Sequence, residues 1–302
     1  MSDPTDRRGL AAGAGAYFLW GLLPLYFTVL APAGADEVVA HRAVWSLLFC
    51  CALLVVTRTW RSFVAVLRDR RTLALLALAA VLLATNWLVF VFGVQSGHVV
   101  DASLGYFINP LVTVALAVLV LHERVRTVQW VALGCGAAAV AVLTLGYGRV
   151  PWIALTLAVS FGLYGLIKNR VGRSVGATPG FAAETLVLAP VALAYLGWLA
   201  ASGRGTFVGN GAWHAVLLAF TGVVTTVPLL LFNDAARRLP LTVVGLLQYL
   251  TPAMHFVIGV VVLDERMPPA RWWGFALVWA ALVVLAVDGW RQGRAARLAT
   301  RP

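Results

Sequence analysis

Arg42 and Glu184 are ionisable residues that stand inside long apolar runs. A charged side chain deep in hydrocarbon costs at least ~2.5–3.5 kcal/mol on insertion scales. Each therefore needs an offset, and the offset defines the chemistry. Arg42 either holds an anionic group or gates access, or it snorkels to the interface or locks to Asp36 or Glu37 at its own helix start. Glu184 is the candidate for a proton-coupling group, with structural hydrogen bonding as the rival. Polar residues Asn86, Tyr106, Asn109, Gln248, Tyr249 and His255 fall in other apolar runs and form a candidate cavity lining. Packing hydrogen bonds between helices, worth roughly 0.6 kcal/mol each, are the bland alternative. Trp20, Trp87 and Tyr164 fit an aromatic ligand or an interfacial aromatic belt. His41 joins Arg42 in the candidate substrate-binding set.

No catalytic or metal constellation accompanies these residues. His122-Glu123-Arg124 lacks the second histidine of a zincin, and no phosphate-binding P-loop pattern is present. Cys50, Cys51 and Cys135 all lie within apolar runs, in no metal-ligand spacing. No metal and no cofactor is expected. A polytopic membrane enzyme would need a nucleophile and base or a metal set, so a transporter is favoured over it. Nothing resembles a repeated selectivity filter, which counts against a channel, but a passive facilitator stays open as the second reading.

The elements that position these residues follow from composition. The chain has 302 residues, 61% hydrophobic and only 12% charged. Soluble domains carry about 45–50% apolar and about 25% charged residues, which excludes a soluble enzyme. A bilayer-crossing helix needs ~20 apolar residues. Ten runs meet that need: Leu10 to Leu30, Val38 to Val56, Thr72 to Val94, Val99 to Leu121, Val128 to Leu145, Val150 to Ile167, Pro179 to Ala201, Ala212 to Phe232, Leu241 to Leu263 and Trp272 to Val287. The longest connection is Arg58 to Arg71. The first run exceeds the ~7–15 residues of a signal-peptide core and is read as a retained helix.

The net charge of +11 is a topology signal. With ten spans and the N-terminus inside, 18 of the 23 Lys and Arg residues fall on the cytoplasmic side, four fall outside, and Arg42 lies within a span. This is the bias of the positive-inside rule. Both termini are expected in the cytoplasm of a multi-pass protein of the plasma (inner) membrane. The lipid bilayer and a small-molecule solute are the expected partners, with no nucleic acid; a homodimer stays open.

The chain repeats itself. Asn109-Pro110, Leu121, Glu123-Arg124 and Trp130 recur as Thr251-Pro252, Leu263, Glu265-Arg266 and Trp272, all at an offset of 142. Phe90 and Phe232 obey the same offset, as do Arg42 and Glu184. Trp20-Gly21-Leu22 parallels Tyr164-Gly165-Leu166 at 144. Five spans per half is an odd number, so the second copy enters from the opposite side. The fold class is therefore an all-α polytopic membrane protein of ten transmembrane helices in two inverted five-helix repeats. The expected division is 1–148, 149–290 and a basic cytoplasmic tail over 291–302. Such symmetry marks secondary transporters, with the site near the midplane between the repeats.

Inversion also predicts that Arg42 and Glu184 do not touch. One enters from each face, about 7 Å deep at ~1.5 Å per residue. Across a ~30 Å core their depths differ by about 15 Å. Pro110 and Pro252 each remove a backbone hydrogen bond beside polar residues, which makes a kink and a plausible ligand locus. Glu123 and Glu265, at the ends of the fourth and ninth spans beside Arg124 and Arg266, suit a structural helix-end role. Lys168 ends the sixth span and reads as a cytoplasmic anchor.

The five-plus-five repeat, the Pro-x12-Glu-Arg ending and the following Trp resemble the EamA-type branch of the drug/metabolite transporter superfamily. More narrowly, Gly15 to Gly21, Ala35 to Ser46, Asn86-Trp87, Leu104 to Leu111, Glu184-Thr185 and Leu247 to Pro252 resemble RarD-type permeases. One departure is Ala276, where the first half has Gly134. The resemblance implies a ten-helix inner-membrane permease, of a kind often named for chloramphenicol sensitivity. It implies no substrate.

Overall fold

The computed structural model describes residues 6–121, 127–171, 174–239 and 241–299. These residues are helical throughout, without strands. In a bilayer only closed hydrogen-bonding structures survive, and a helix satisfies its backbone within one segment.

The first span is broken. Helix α1 (Arg7–Gly21) starts on Asp6, whose carboxylate accepts from the amides of Arg8 and Gly9. It stops at Leu22, and α2 (Leu23–Val29) begins with Pro24 in its first turn. Proline is tolerated there because the first amides of a helix have no partner. Helix α3 (Ala35–Val56) is the second span. The Arg58–Arg71 connection folds into α4 (Trp60–Arg68), a short amphipathic helix that buries Phe63 and Val66 and exposes Trp60.

Asp69 then caps α5 (Arg70–Gln95), taking the amides of Arg71 and Thr72 and the Thr72 hydroxyl at 2.6 Å. The Thr72 hydrogen bonds hold its carboxyl below the usual carboxylate range. The first half closes with α6 (Val99–Leu121) and α7 (Thr127–Tyr147).

The second half runs α8 (Trp152–Val171), α9 (Ala177–Ala201), α10 (Gly211–Arg238), α11 (Leu241–Leu247), α12 (Leu250–Val257) and α13 (Pro269–Ala299). The ninth span is broken at Gln248–Tyr249, between α11 and α12. It ends in a π-helical turn over Ile258–Val262. All ten apolar runs are helices long and apolar enough to cross a membrane.

The packing follows the repeat. The mates α3 and α9 lie against each other, as do α7 and α13. Helix α1 packs on α10, and the corresponding pair, α8 on α5, also packs. Two close approaches depend on glycine. A Cβ at Gly222 of α10 would lie 2.5 Å from the Trp45 backbone of α3. One at Gly105 of α6 would lie 2.7 Å from the Ala154 carbonyl oxygen of α8. Small residues at such crossings allow the dense contact that replaces the hydrophobic effect between helices in lipid.

Candidate functional site

Arg42 points into the protein. It is 3% exposed. Its Nε donates to Thr225 Oγ1 of α10 at 2.9 Å, and Thr225 donates on to the Thr221 carbonyl at 2.7 Å. The guanidinium carbon lies 4.2 Å from the Trp87 ring centroid and 5.2 Å from that of Phe27. A desolvated cation over an aromatic face gains about 2 kcal/mol. Two such faces offset much of the cost of burying the charge. Nη1 has no hydrogen-bond partner. Neither acid at the start of α3 reaches Arg42: Asp36 accepts from the Tyr195 hydroxyl, and Glu37 binds Thr206.

Beside this cation runs a polar network drawn from both halves. Tyr106 of α6 donates to Asn86 Oδ1 of α5 at 3.0 Å. Asn86 Nδ2 donates to the Leu157 carbonyl and to Ser160 Oγ of α8, each at 3.1 Å. His255 of α12 stacks on Phe90 at 5.1 Å and meets Tyr106 edge-on at 5.8 Å. Its Nε2 donates to the Trp20 carbonyl at 3.1 Å, one residue before the end of α1. The break in the first span is thus tied to the ninth span by a buried imidazole. Phe161 links Tyr106 to Tyr164 through ring contacts of 6.0 Å each.

Glu184 is paired. It is fully buried; Lys168 Nζ donates to Oε1 at 2.6 Å and the Tyr164 hydroxyl to Oε2 at 3.1 Å. Lys168 is therefore the internal counter-ion of Glu184, where a cytoplasmic anchor was expected. The one-turn spacing of Tyr164 and Lys168 was the signal, because it puts both side chains on one helix face. Arg42 and Glu184 make no contact, as the inversion argument requires.

The two faces of the bundle differ. On the face where α1 begins, a cavity of about 640 Å³ opens between the end of α3, α4, the start of α5, the start of α9 and α10. Thr57, Thr72, Thr178, Pro179, Asn233 and Asp234 are among its walls. Glu184 lies five residues along α9 from Pro179.

The opposite face is latched. Glu37 accepts from the Thr206 amide at 2.7 Å and the Thr206 hydroxyl at 3.0 Å. Phe207 stacks on His41 at 4.7 Å and on Trp45 at 6.2 Å. Tyr26 donates to the Leu217 carbonyl, and Gln95 to the Ala33 carbonyl at 2.8 Å. The loop residues Thr206 and Phe207 were not singled out in the sequence, because a short loop carries no periodicity.

The remaining expected residues take separate places. His41 faces the latch, where Trp45 Nε1 donates to its Nδ1 at 3.2 Å. The Trp20 ring packs with Tyr17 and Phe232. Asn109 Oδ1 is buried without a partner, near Gly162 of α8. Gln248 and Tyr249 form the break of the ninth span, with Tyr249 stacked on Phe107 at 6.5 Å. The two prolines act differently. Pro110 lies inside unbroken α6, whereas Pro252 sits in the first turn of α12, after the break. The Pro252 carbonyl accepts from Ser103 at 2.8 Å, and Thr251 donates to the Tyr17 carbonyl at 2.8 Å.

Glu265 caps α6 across the repeat, accepting from the amides of Val99 and Val100. Arg271 stands 3.7 Å away. Burial raises its carboxyl against these hydrogen bonds. Glu123, its mate, lies outside the described residues.

A rival chemistry also meets the structure. Gly172 to Gly176 carries a Gly-x-Ser-x-Gly spacing, which in hydrolases marks a strand–turn–helix elbow. Here Ser174 follows a helix, and its hydroxyl donates to the Val171 carbonyl at 3.2 Å. No strand precedes it among the described residues. The described residues also contain no group of three or more acidic, histidine or cysteine side chains placed to hold a metal.

Comparison with known proteins follows the repeat. The model of the EamA-like transporter family matches twice, over residues 7–145 and 150–287. The chain is 52% identical to the Protein RarD of Streptomyces exfoliatus, covering 98% of this chain and 93% of that one. It is 41% identical to the Protein RarD of Salmonella typhimurium, over 95% and 97%. It is 38% identical to the uncharacterized transporter YojE of Bacillus subtilis, over 98% and 99%. One solved crystal structure aligns over 94% of this chain and 98% of its own, with a TM-score of 0.60 and 17% identity. That last likeness concerns the fold alone.

Proposed function

The chain belongs to the EamA-like transporter family, in its RarD-type branch, and from that premise we propose that it is a secondary transporter moving a small organic solute by alternating access. Its membership makes it a multi-pass membrane transporter; the mechanism and the site are the proposal. The observation that carries it is the buried layer between the halves. Arg42, Asn86, Trp87 and Tyr106 come from the first half, and Thr225, Ser160 and His255 from the second. A side chain set shared by two inverted repeats is remade when the repeats exchange conformations, so a solute held there faces each side in turn.

The unequal ends support the same reading. The latch of Glu37, Thr206 and Phe207 closes one face while a cavity opens on the other. With the basic residues placed by the positive-inside rule, the open face is cytoplasmic and both termini lie there. Coupling to protons needs an internal acid whose protonation changes with the conformation. Glu184 is the acid in that role, exchanging its Lys168 partner for a proton as the pathway reopens.

Proteoliposome flux tests the reading. Solute flux that saturates and shows accelerated exchange against internal solute is expected of alternating access. Unsaturable flux without exchange acceleration would replace it with the passive facilitator. Flux that follows an imposed proton gradient, and loses that dependence in Glu184→Gln, is expected of the coupling role; an unchanged gradient dependence overturns it.

A further inference from the structure

Arg42 differs from the other buried charges near the pathway. Glu184 has Lys168 and Asp101 has Arg271 at 3.2 Å; Glu37 spends both carboxylate oxygens on Thr206, whereas Arg42 keeps a buried donor unspent. Among the described residues no carboxylate lies within ion-pair distance of Arg42. One of its five N–H donors is spent on Thr225, and Nη1 has no acceptor although it is buried. The rings of Trp87 and Phe27 stand beside the guanidinium, whose unspent N–H donors lie in its own plane. One turn along α3, Ser46 Oγ is also buried without a partner, as is Thr226 Oγ1 next to Thr225.

We propose that the solute is an organic monoanion with a planar apolar body and no ammonium group, its carboxylate held in the plane of Arg42; this rests on the transport reading above. A carboxylate matches the guanidinium edge with two parallel hydrogen bonds. One negative charge balances the one uncompensated positive charge, whereas a phosphate dianion leaves an excess in a low dielectric. A zwitterion brings an ammonium that needs an acid; Glu184 and Asp101 already have cations, and both oxygens of Glu37 are taken by Thr206. The rings of Trp87 and Phe27 that flank the guanidinium continue outward into Phe181 and Phe90, a setting that suits a flat apolar body.

The test uses the purified full chain and four probes that share a phenyl ring: benzoate, benzamide, phenyl phosphate and phenylalanine. Benzoate is expected to raise the thermal midpoint with concentration, as any ligand of the folded state does. The other three are expected to bind at least about 10-fold more weakly, the scale of one lost charge-assisted contact. Arg42→Gln is expected to weaken benzoate about 30-fold or more. Arg42→Lys keeps the charge but not the fork, and is expected to fall between. Should the Gln variant fail to fold, the Lys variant and the probe ranking still decide. Benzamide, phenyl phosphate or phenylalanine matching benzoate, or benzoate affinity unchanged in the variants, overturns the assignment.

Exchange of the same probes across proteoliposomes separates the two readings. A neutral or zwitterionic probe that exchanges while benzoate does not overturns the monoanion and leaves transport standing. Benzoate that binds through Arg42 but never exchanges keeps the anion site and overturns transport.

Discussion

Arg42 and Glu184 stand at matching positions of the two halves, and the fold treats them in opposite ways. Glu184 has a cation and a phenol from the neighbouring helix α8. Arg42 has a threonine, two ring faces and a free donor. The cause is in the first span of each half. Lys168 corresponds, at the offset of 144, to Pro24, where the first half breaks its helix. A continuous α8 delivers a lysine to Glu184; the broken α1–α2 segment delivers Phe27 and Tyr26 to the layer of Arg42. An inverted repeat thus copies the backbone and leaves the charge balance of each half free to diverge. A half that neutralises itself can store a structural or coupling pair. A half that does not is prepared for a ligand.

The comparison can be broken most decisively at Arg42. Arg42→Met removes an uncompensated buried charge, so the folded protein is expected to gain about 1–3 kcal/mol while solute flux falls to background. Thermal unfolding read together with flux checks this, and a variant both unstable and active would reverse the assignment. Glu184→Gln should do the opposite, because it strands Lys168. The expected loss is ~2 kcal/mol, below the ~3–5 of a fully buried pair since the Lys168 side chain is 28% exposed. Adding Lys168→Met should restore most of that loss. Equal stability of the single and double variants would show that the pair is not coupled.

Two smaller effects sharpen the frame around this pair. Gly222→Ala forces a methyl onto the Trp45 backbone, so α3 and α10 must part and the Arg42–Thr225 contact lengthens. A loss of about 1–3 kcal/mol is expected, the usual cost of overpacking. The smallest effect lies outside the membrane, at Asp69. Its folded carboxyl is held below the ordinary range, so its contribution is present above the unfolded value of about 3.9 and is lost as pH falls through the folded value. Asp69→Asn should therefore leave the midpoint flat from pH 6 to 8 and change its slope only in acid.

Much of this architecture was legible beforehand. Ten apolar runs gave ten helices, because a span must satisfy its own backbone and shows its length in hydropathy. The break at Leu22 was harder to see. A proline in a first turn reads as tolerated, and only the structure shows that α1 stops at Gly21 and α2 starts anew at Leu23. Glu265 was read as structural at its own helix end. It caps α6, more than 160 residues away, which no local pattern encodes. The Thr221–Thr225–Thr226 stripe was a missed signal, since three hydroxyls at helical spacing inside an apolar span mark an inward face.

The sequence by itself determined the spans and the five-plus-five repeat, and it led to the expectation that Arg42 and Glu184 do not touch. These depend on local periodicity and on counting crossings, which need no knowledge of neighbours. Tertiary structure alone decided the partners: Thr225 and Trp87 for Arg42, Lys168 and Tyr164 for Glu184, Thr206 for Glu37. Each of the pairs across helices is fixed by how those helices rotate and cross. That choice rests on close contacts such as Gly222 on Trp45, and it is made only when the whole bundle packs.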